Sequence, residues 1–189
     1  MLGYRAAYRQ LWRSLQQTNS FPFSKSISTI CDCGVGTAAF SLALAETISP
    51  QAHIVGVDLS PEMLHRAEQR LTHAQVHHHL YQSDVRTLPF ADECFDAVVS
   101  AHMLEHLSNS LEGLCEMHRV LRPGAPLVLV VTRRGLFGSF IQGYWGNHCF
   151  SQKALINLMS QVGLSNLKII PFPFGLARFT SFACIGFRD

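Results

Sequence analysis

The stretch ISTICDCGVGTAAFSLALAE, residues 27–46, decides the fold. Residues 27–32, which run into glycines, predict a strand, and the Ala- and Leu-rich residues 37–46 predict a helix. Gly34 and Gly36 lie between the two, where a backbone without side chains bends tightly and lets a ligand approach closely. We therefore predict a strand–turn–helix unit that binds a ligand at its turn.

Strand and helix patterns alternate along the rest of the chain. Ser60-Pro61-Glu62 combines a capping serine, a proline and an acid, which predicts a helix start. Two late extended runs, 167–172 and 179–187, lie too close for a helix between them, so we expect them to pair antiparallel. This alternation predicts an α/β fold with a doubly wound, mostly parallel sheet. Other strands are predicted over 53–57, 76–81, 95–100 and 127–131, other helices over 4–17, 111–121 and 151–162, and a loop over 20–28.

Composition limits the classes of function. Of the 189 residues, 48% are hydrophobic and 15% charged, so we expect one folded domain rather than a disordered chain. The net charge of +2 gives no basic field for nucleic acid, and no run approaches the roughly 18 apolar residues of a membrane span. The N-terminus has no apolar signal core. We expect a cytoplasmic protein with a small-molecule substrate, no nucleic-acid partner and no stable membrane insertion, and the oligomeric state stays open.

The glycine turn alone fits two cofactors. Read as GxGxxA, Gly34, Gly36 and Ala39 match a dinucleotide fingerprint, which indicates a nicotinamide-dependent oxidoreductase. Read together with the preceding Asp32 as DxGxGxA, the turn matches the nucleoside-binding loop of methyltransferases that use S-adenosylmethionine. A glycine loop by itself does not choose between these two classes.

Three aspartates at the ends of successive predicted strands favour the second class. Asp32, Asp58 and Asp84 belong to strands whose carboxyl ends open onto the same edge of the sheet. Asp58 suits the two ribose hydroxyls that both cofactors carry. A charge at Asp32 would repel phosphates, but it suits a cationic sulfonium with an amino-acid tail. The aspartates therefore favour S-adenosylmethionine over a nicotinamide dinucleotide.

Four further motifs follow in order along the chain: IVGVDLSPEML at 54–64, SDVRTLPF at 83–90, CFDAVVS at 94–100 and HRVLRPG at 118–124. With the glycine turn, they resemble the motifs of class I S-adenosylmethionine-dependent methyltransferases, in particular the type 11 subgroup with the ubiquinone and menaquinone enzymes. The resemblance covers residues 27–132. It implies a seven-stranded Rossmann-like sheet with a reversed last strand, S-adenosylmethionine as cofactor, and S-adenosylhomocysteine as product.

The resemblance also implies where the cofactor binds. The residues concerned are Asp32, Gly34, Gly36 and Thr37 for the methionine moiety, Asp58 for the ribose, Leu59, Met63, Asp84 and Val85 for the adenine, and Ala101 for the methyl-donor end. One position departs from the family pattern, because the third glycine is Ala38 here. Its methyl group could tighten the loop and weaken cofactor binding, which leaves a catalytically weak scaffold or partner subunit as an alternative function.

The sequence HMLEH at 102–106 matches the HxxEH pattern of zinc proteases. The surrounding methyltransferase motifs and the lack of an obvious third ligand argue against that reading, so we expect no metal. His102 and His106 are instead candidate general bases beside the methyl donor, since imidazole titrates near neutral pH. A packed or hydrogen-bonded histidine is the alternative for each.

An insertion at 133–150 separates the last parallel strand from the last helix. Because loops at strand ends build such sites, Tyr144, Trp145 and His148 are candidate substrate-binding residues of an aromatic lid, with plain packing as the alternative for the two large rings. They predict a small apolar or aromatic acceptor, methylated by in-line displacement. The single domain, 1–189, divides into an N-terminal helix and loop at 1–26, a cofactor core at 27–132, this insertion, and a C-terminal helix and strand pair at 151–189.

Overall fold

The structure, a computed structural model, covers the glycine turn and all four motifs. It describes residues 2–17, 29–48, 51–134, 149–173, 175 and 177–189. Tyr144, Trp145 and His148, and the loop predicted over 20–28, lie outside the described residues, so the aromatic lid stays a prediction.

Within the described residues, seven strands pair into one sheet. They are β1 (Thr29–Cys33), β2 (His53–Asp58), β3 (His78–Gln82), β4 (Ala97–Ala101), β5 (Pro126–Thr132), β6 (Leu164–Pro171) and β7 (Ser181–Arg188). Their order across the sheet is β3-β2-β1-β4-β5-β7-β6. β7 runs antiparallel to both β5 and β6, whereas the other neighbouring strands are parallel. This confirms the predicted α/β fold with a reversed last strand.

Helices connect the strands. Those in the described parts of the chain are α1 (Leu2–Gln17), α2 (Ala39–Thr47), α3 (Pro61–His73), α4 (Ser110–Val120), α5 (Gln152–Gln161) and α6 (Ala177–Thr180), with a 3-10 turn at Leu104–His106. The expectation of no helix between the last two strands is wrong, because α6 is a single turn and each helical residue advances the chain by only about 1.5 Å. None of these helices is long and apolar enough to cross a membrane.

The start of α3 and the whole of β5 show how the sequence sets these elements. Ser60 caps α3 by accepting a hydrogen bond from the Met63 amide at 3.3 Å, and Pro61 and Glu62 occupy the first turn. All residues of β5 except the last are buried, as expected of an apolar strand that is covered on both faces.

Two layers of side chains cover the two faces of the sheet. On one face, Leu11, Trp12 and Leu15 of α1 are fully buried in a cluster with α2. On the other face, Met117 of α4 and Leu155 of α5 belong to a second buried cluster. Between the layers, the chain order reverses at β1 and β4, and the crevice at such a switch point is where open α/β sheets bind ligands.

Candidate functional site

A cavity of about 440 Å³ lies at this switch point, beyond the carboxyl ends of β1, β2 and β4. Seven of the ten predicted cofactor residues line it, together with both candidate bases. The lining consists of Gly34, Gly36, Asp58, Leu59, Ser83, Asp84, Val85, Ala101, His102, Met103, His106 and Leu107. The fold therefore brings residues from the glycine turn and three later motifs to one place.

The glycine turn is held tightly against the end of β2. The amides of Gly34 and Val35 both donate to the Val57 carbonyl, at 2.8 and 2.9 Å. Gly34 has a φ of +76°, and a Cβ at this position would collide with the Met103 side chain. Glycine is thus required at position 34 both by the backbone conformation and by the close approach of the next loop.

Asp58 ends β2 and ties the glycine turn to the start of α3. Its Oδ2 accepts a hydrogen bond from the Gly36 amide at 2.8 Å, and its Oδ1 accepts one from the Ser60 amide at 2.9 Å. The carboxylate is only partly buried and lines the cavity. Because each carboxylate oxygen accepts two hydrogen bonds, both oxygens can still accept from a bound ligand.

Asp84 lies at the same edge, after β3. Its carboxylate accepts hydrogen bonds from Arg86 Nε at 3.1 Å and Arg86 Nη2 at 2.6 Å. These bonds hold the pKa of Asp84 below its ordinary value, so the group is a carboxylate at neutral pH. Asp84 and Asp58 thus place two carboxyl groups on this side of the cavity, one of them paired with Arg86.

Three predicted cofactor residues do not line the cavity. Asp32 is 1% exposed and accepts a hydrogen bond from Ser41 Oγ at 2.5 Å. Burial raises the pKa of Asp32 to about 7, although the Ser41 hydrogen bond acts in the opposite direction. Thr37 accepts hydrogen bonds from Arg70, and Met63 lies in the first turn of α3. The roles predicted for these three residues stay predictions.

A hydrogen-bonded cluster at the end of β4 joins His102 to two residues that the sequence analysis did not assign. His102 Nδ1 lies 3.0 Å from Glu105 Oε1 and 3.2 Å from Thr132 Oγ1. Glu105 is 2% exposed, and its Oε1 also accepts from the Thr132 hydroxyl at 2.7 Å and amide at 3.2 Å. An acid three residues after His102 was visible in the HMLEH pattern, whereas Thr132 is brought in only by the pairing of β4 with β5.

The charge state of Glu105 follows from its surroundings. Burial pushes the pKa of Glu105 up, but hydrogen bonds from His102 and Thr132 more than offset this and hold the pKa below its ordinary value. Glu105 is therefore a buried carboxylate at neutral pH. Tyr4 of α1 closes the cluster, with its ring edge-on to the His102 imidazole at a centroid distance of 5.5 Å.

A second cleft, of about 490 Å³, lies between α1, α2 and α3. Three arginines line it, namely Arg5, Arg9 and Arg70, with Thr37 at the side of the glycine turn. Glu46 forms ion pairs with Arg5 and Arg9 and neutralises part of their charge. Tyr4 lines this cleft and contacts His102, so the two cavities adjoin.

The sheet order, the glycine turn and an acid at the end of β2 define the class of protein, an S-adenosylmethionine-dependent methyltransferase of the Rossmann-like type. Residues 31–129, more than half of the chain, match the family described as "Methyltransferase domain". The chain belongs to this family and is an enzyme that uses S-adenosylmethionine. The family decides between the two cofactors that the glycine turn alone left open.

Curated relatives carry the name demethylmenaquinone methyltransferase. The protein of that name from Desulfitobacterium hafniense is 37% identical over 119 residues, which are 62% of this chain and 47% of that protein. The one from Bacillus cereus is 29% identical over 184 residues, 82% of this chain and 76% of that protein. The match thus spans about half the length of the first relative and about three quarters of the second.

Solved structures confirm the fold. An S-adenosylmethionine-dependent methyltransferase from Thermotoga maritima superposes with a TM-score of 0.72 over 97% of this chain and 92% of its own. Its sequence is 19% identical, so this likeness bears on the fold alone.

Proposed function

We propose that the protein transfers a methyl group from S-adenosylmethionine to a small apolar or aromatic acceptor. The observation that carries this proposal is the position of Asp58 at the cavity. The Gly36 and Ser60 amides hold its carboxylate in place, and each oxygen can still accept a hydrogen bond from a ligand. When bound, S-adenosylmethionine supplies an electrophilic methyl group on a positively charged sulfur. The task of the protein is then to bind, align and shield the reactants.

Each part of this cofactor would have its own set of residues in the cavity lining. Asp58 would accept hydrogen bonds from the two ribose hydroxyls. Leu59, Asp84 and Val85 would contact the adenine, and Ala101 would border the methyl-donor end. Gly34 and Gly36 line the cavity, and their backbone would contact the methionine moiety. The three predicted residues off the cavity would act indirectly, by supporting the glycine turn and the start of α3.

The acceptor class is supported by the cavity lining and by the relatives. Ala101, Met103 and Leu107 give the side of the cavity near the candidate bases an apolar surface. The relatives are named for demethylmenaquinone, an apolar quinone with an aromatic ring system. An acceptor of this kind, in its reduced form, presents an aromatic ring to the methyl donor. The insertion at 133–150, with Tyr144, Trp145 and His148, would cover it.

In this proposal the methyl group moves by in-line displacement. A base is needed only where the acceptor atom loses a proton as it gains the methyl group. His102 and His106 both line the cavity and are the candidates for that base. The enzyme otherwise contributes alignment and the exclusion of water.

Calorimetric titration tests the cofactor, and a methylation assay tests the acceptor. S-Adenosylhomocysteine should bind the purified full chain, whereas NAD should not. Reduced demethylmenaquinone with S-adenosylmethionine should then give the methylated quinol. Binding of S-adenosylhomocysteine without methylation of any acceptor, together with a stable co-purifying protein, would instead favour the partner-subunit alternative. Absence of S-adenosylhomocysteine binding would contradict the proposal.

A further inference from the structure

We infer that Glu105, supported by Thr132, is a positioning residue that holds His102 as the Nδ1–H tautomer, so that His102 Nε2 is the atom that takes the proton from the acceptor. The inference rests on the proposed function, because a base is needed only for an acceptor that loses a proton. It assigns roles to two residues outside the family motifs, and it selects His102 over His106.

The hydrogen-bond directions determine the tautomer. A carboxylate only accepts hydrogen bonds, so the proton between Glu105 Oε1 and His102 Nδ1, 3.0 Å apart, belongs to the imidazole. A neutral imidazole with its proton on Nδ1 has a lone pair on Nε2. His102 Nε2 is buried and has no hydrogen-bond partner among the described residues. Nε2, the nitrogen that can accept a proton, is thus also the one without a hydrogen-bond partner among the described residues.

Thr132 fixes Glu105 in turn. Its hydroxyl and its amide both donate to Glu105 Oε1, at 2.7 and 3.2 Å, and the hydroxyl also lies 3.2 Å from His102 Nδ1. These contacts come from the last residue of β5, next to β4 in the sheet. Because Glu105 is held from a neighbouring strand, its carboxylate cannot turn away from His102 without breaking two hydrogen bonds.

The backbone of His102 is strained in a way that serves this arrangement. Its φ is +57°, a left-handed conformation that residues with side chains rarely adopt. The His102 amide donates to the Val130 carbonyl of β5 at 2.8 Å, which helps to hold this conformation. Strain of this kind persists where the surroundings enforce it, often at functional sites. His102 in this conformation lines the cavity while its Nδ1 lies 3.0 Å from Glu105 Oε1.

His106 lacks these features, although it lines the same cavity. It is exposed, and no side chain among the described residues forms a hydrogen bond with its imidazole. An exposed imidazole without a partner is not fixed in one tautomer or one orientation. The contrast between the two histidines therefore assigns proton transfer to His102.

The proton and electron balance is simple. As the acceptor atom bonds to the methyl carbon, the carbon–sulfur bond breaks and its electron pair goes to sulfur. The proton that leaves the acceptor goes to His102 Nε2. The resulting imidazolium lies against the Glu105 carboxylate, which stabilises its charge. Water takes the proton after product release, and no oxidant or reductant is needed.

The tautomer itself can be observed by nitrogen-15 NMR of the labelled full chain, without any acceptor. With ten histidines in the sequence, a His102→Gln variant identifies the His102 signals by their loss. We expect neutral His102 to carry its proton on Nδ1. Glu105→Gln keeps a carbonyl oxygen that can accept this bond and should preserve the tautomer, whereas Glu105→Ala should release it. An Nε2–H tautomer in the wild-type protein would overturn the inference.

Thr132 gives a second pair of variants that avoids removing a buried carboxylate. Thr132→Ser keeps the hydroxyl and should leave the tautomer unchanged. Thr132→Val keeps the shape and removes the hydroxyl, so His102 should show exchange between tautomers. Identical spectra for the two variants would contradict the role of Thr132, and that result is readable even where Glu105→Ala does not fold.

Kinetics separate positioning from a structural role. With S-adenosylmethionine and reduced demethylmenaquinone, His102→Ala should lower kcat by about 100-fold or more, and Glu105→Gln by about 10-fold. The KM for S-adenosylmethionine should stay within about twofold, and the double variant should be no slower than His102→Ala. A loss confined to KM would overturn the inference. Glu112→Gln, an exposed acid on α4, is the matched control and should be unaffected.

Failure of the proposed function gives a different pattern of results. If the wild-type protein binds S-adenosylhomocysteine but does not methylate the quinone probe, the acceptor class is wrong. The NMR measurement of the tautomer still decides the inference about His102 in that case, because it does not depend on turnover.

Discussion

The cavity has two sides that are built in different ways. On the adenosine side, Asp58 bonds to the amides of Gly36 and Ser60, and all three residues belong to short sequence motifs. On the methyl side, His102 adopts a left-handed backbone conformation and depends on Glu105 and on Thr132 from the next strand. The first side thus depends on the pairing of β1 with β2 and lies within recognisable sequence motifs, whereas the second exists only when β4 and β5 are paired.

This difference fits the different ligands that the two sides would bind in the proposed function. In the proposed function, the adenosine side would bind the same cofactor in every turnover, through the Asp58 carboxylate and the backbone of the glycine turn. The methyl side must adapt to an acceptor, and its side chains come from separate elements that can vary independently. Loops and element ends carry such specificity in many folds.

A large loss of stability is expected where the two sides of the cavity meet, because Met103 packs directly against Gly34. Gly34→Ala puts a Cβ into the Met103 side chain and forces an alanine into a φ of +76°. We expect a loss of about 3 kcal/mol in the free energy of unfolding, measured by urea denaturation. Gly124→Ala is the matched control, because φ there is +73° but no atom lies within 4 Å, so only about 1 kcal/mol should be lost. Equal losses would show that Met103 does not abut the glycine turn.

Asp32 should give an effect on stability that depends on pH. An unfolded aspartic acid ionises near pH 4, whereas folded Asp32 keeps its proton up to about pH 7. Between these values the folded state binds the extra proton, so stability falls as pH rises, by up to about 1.4 kcal/mol per pH unit. The stability of Asp32→Asn relative to wild type should therefore rise across this window. Above about pH 7 the difference between the two proteins should stay constant. Urea unfolding at a series of pH values measures both.

Asp92→Asn is the control for that experiment, since the Asp92 side chain is 72% exposed. It should show no comparable rise between about pH 4 and pH 7. Parallel stability curves for wild type and Asp32→Asn would contradict the buried, protonated state of Asp32.

The smallest effect concerns Ala38, which has a φ of +57° and is fully buried. Ala38→Gly relieves the left-handed conformation, worth about 1 kcal/mol, but removes a buried methyl group of similar value. We expect the free energy of unfolding to change by less than about 1 kcal/mol, with S-adenosylhomocysteine affinity unchanged. Exposed Gln75, with a φ of +55°, is the control, because Gln75→Gly should only stabilise. A large gain in affinity for Ala38→Gly would support the scaffold alternative.

Much of the fold and of the adenosine side could be predicted from the sequence, because their signals are local. The Ser60 cap, the apolar run of β5 and the glycine turn each specify their own conformation. The burial of Asp32 could not be predicted, since alternation along β1 turns its side chain toward Ser41 of α2. The role of Thr132 depends on the register that places Ala101 beside Val130, which no single segment reveals.

The most direct test of the central claim is calorimetric titration of S-adenosylhomocysteine into wild type and Asp58→Ala, with Glu112→Gln as control. Hydrogen bonds to a charged group are worth about 1.5–3 kcal/mol each, so loss of two ribose contacts should weaken binding by about 100-fold or more. Thermal unfolding would verify that the variant is folded. Clear binding to wild type and none detectable in folded Asp58→Ala is the expected result, and equal affinity in the two proteins would contradict the assigned site.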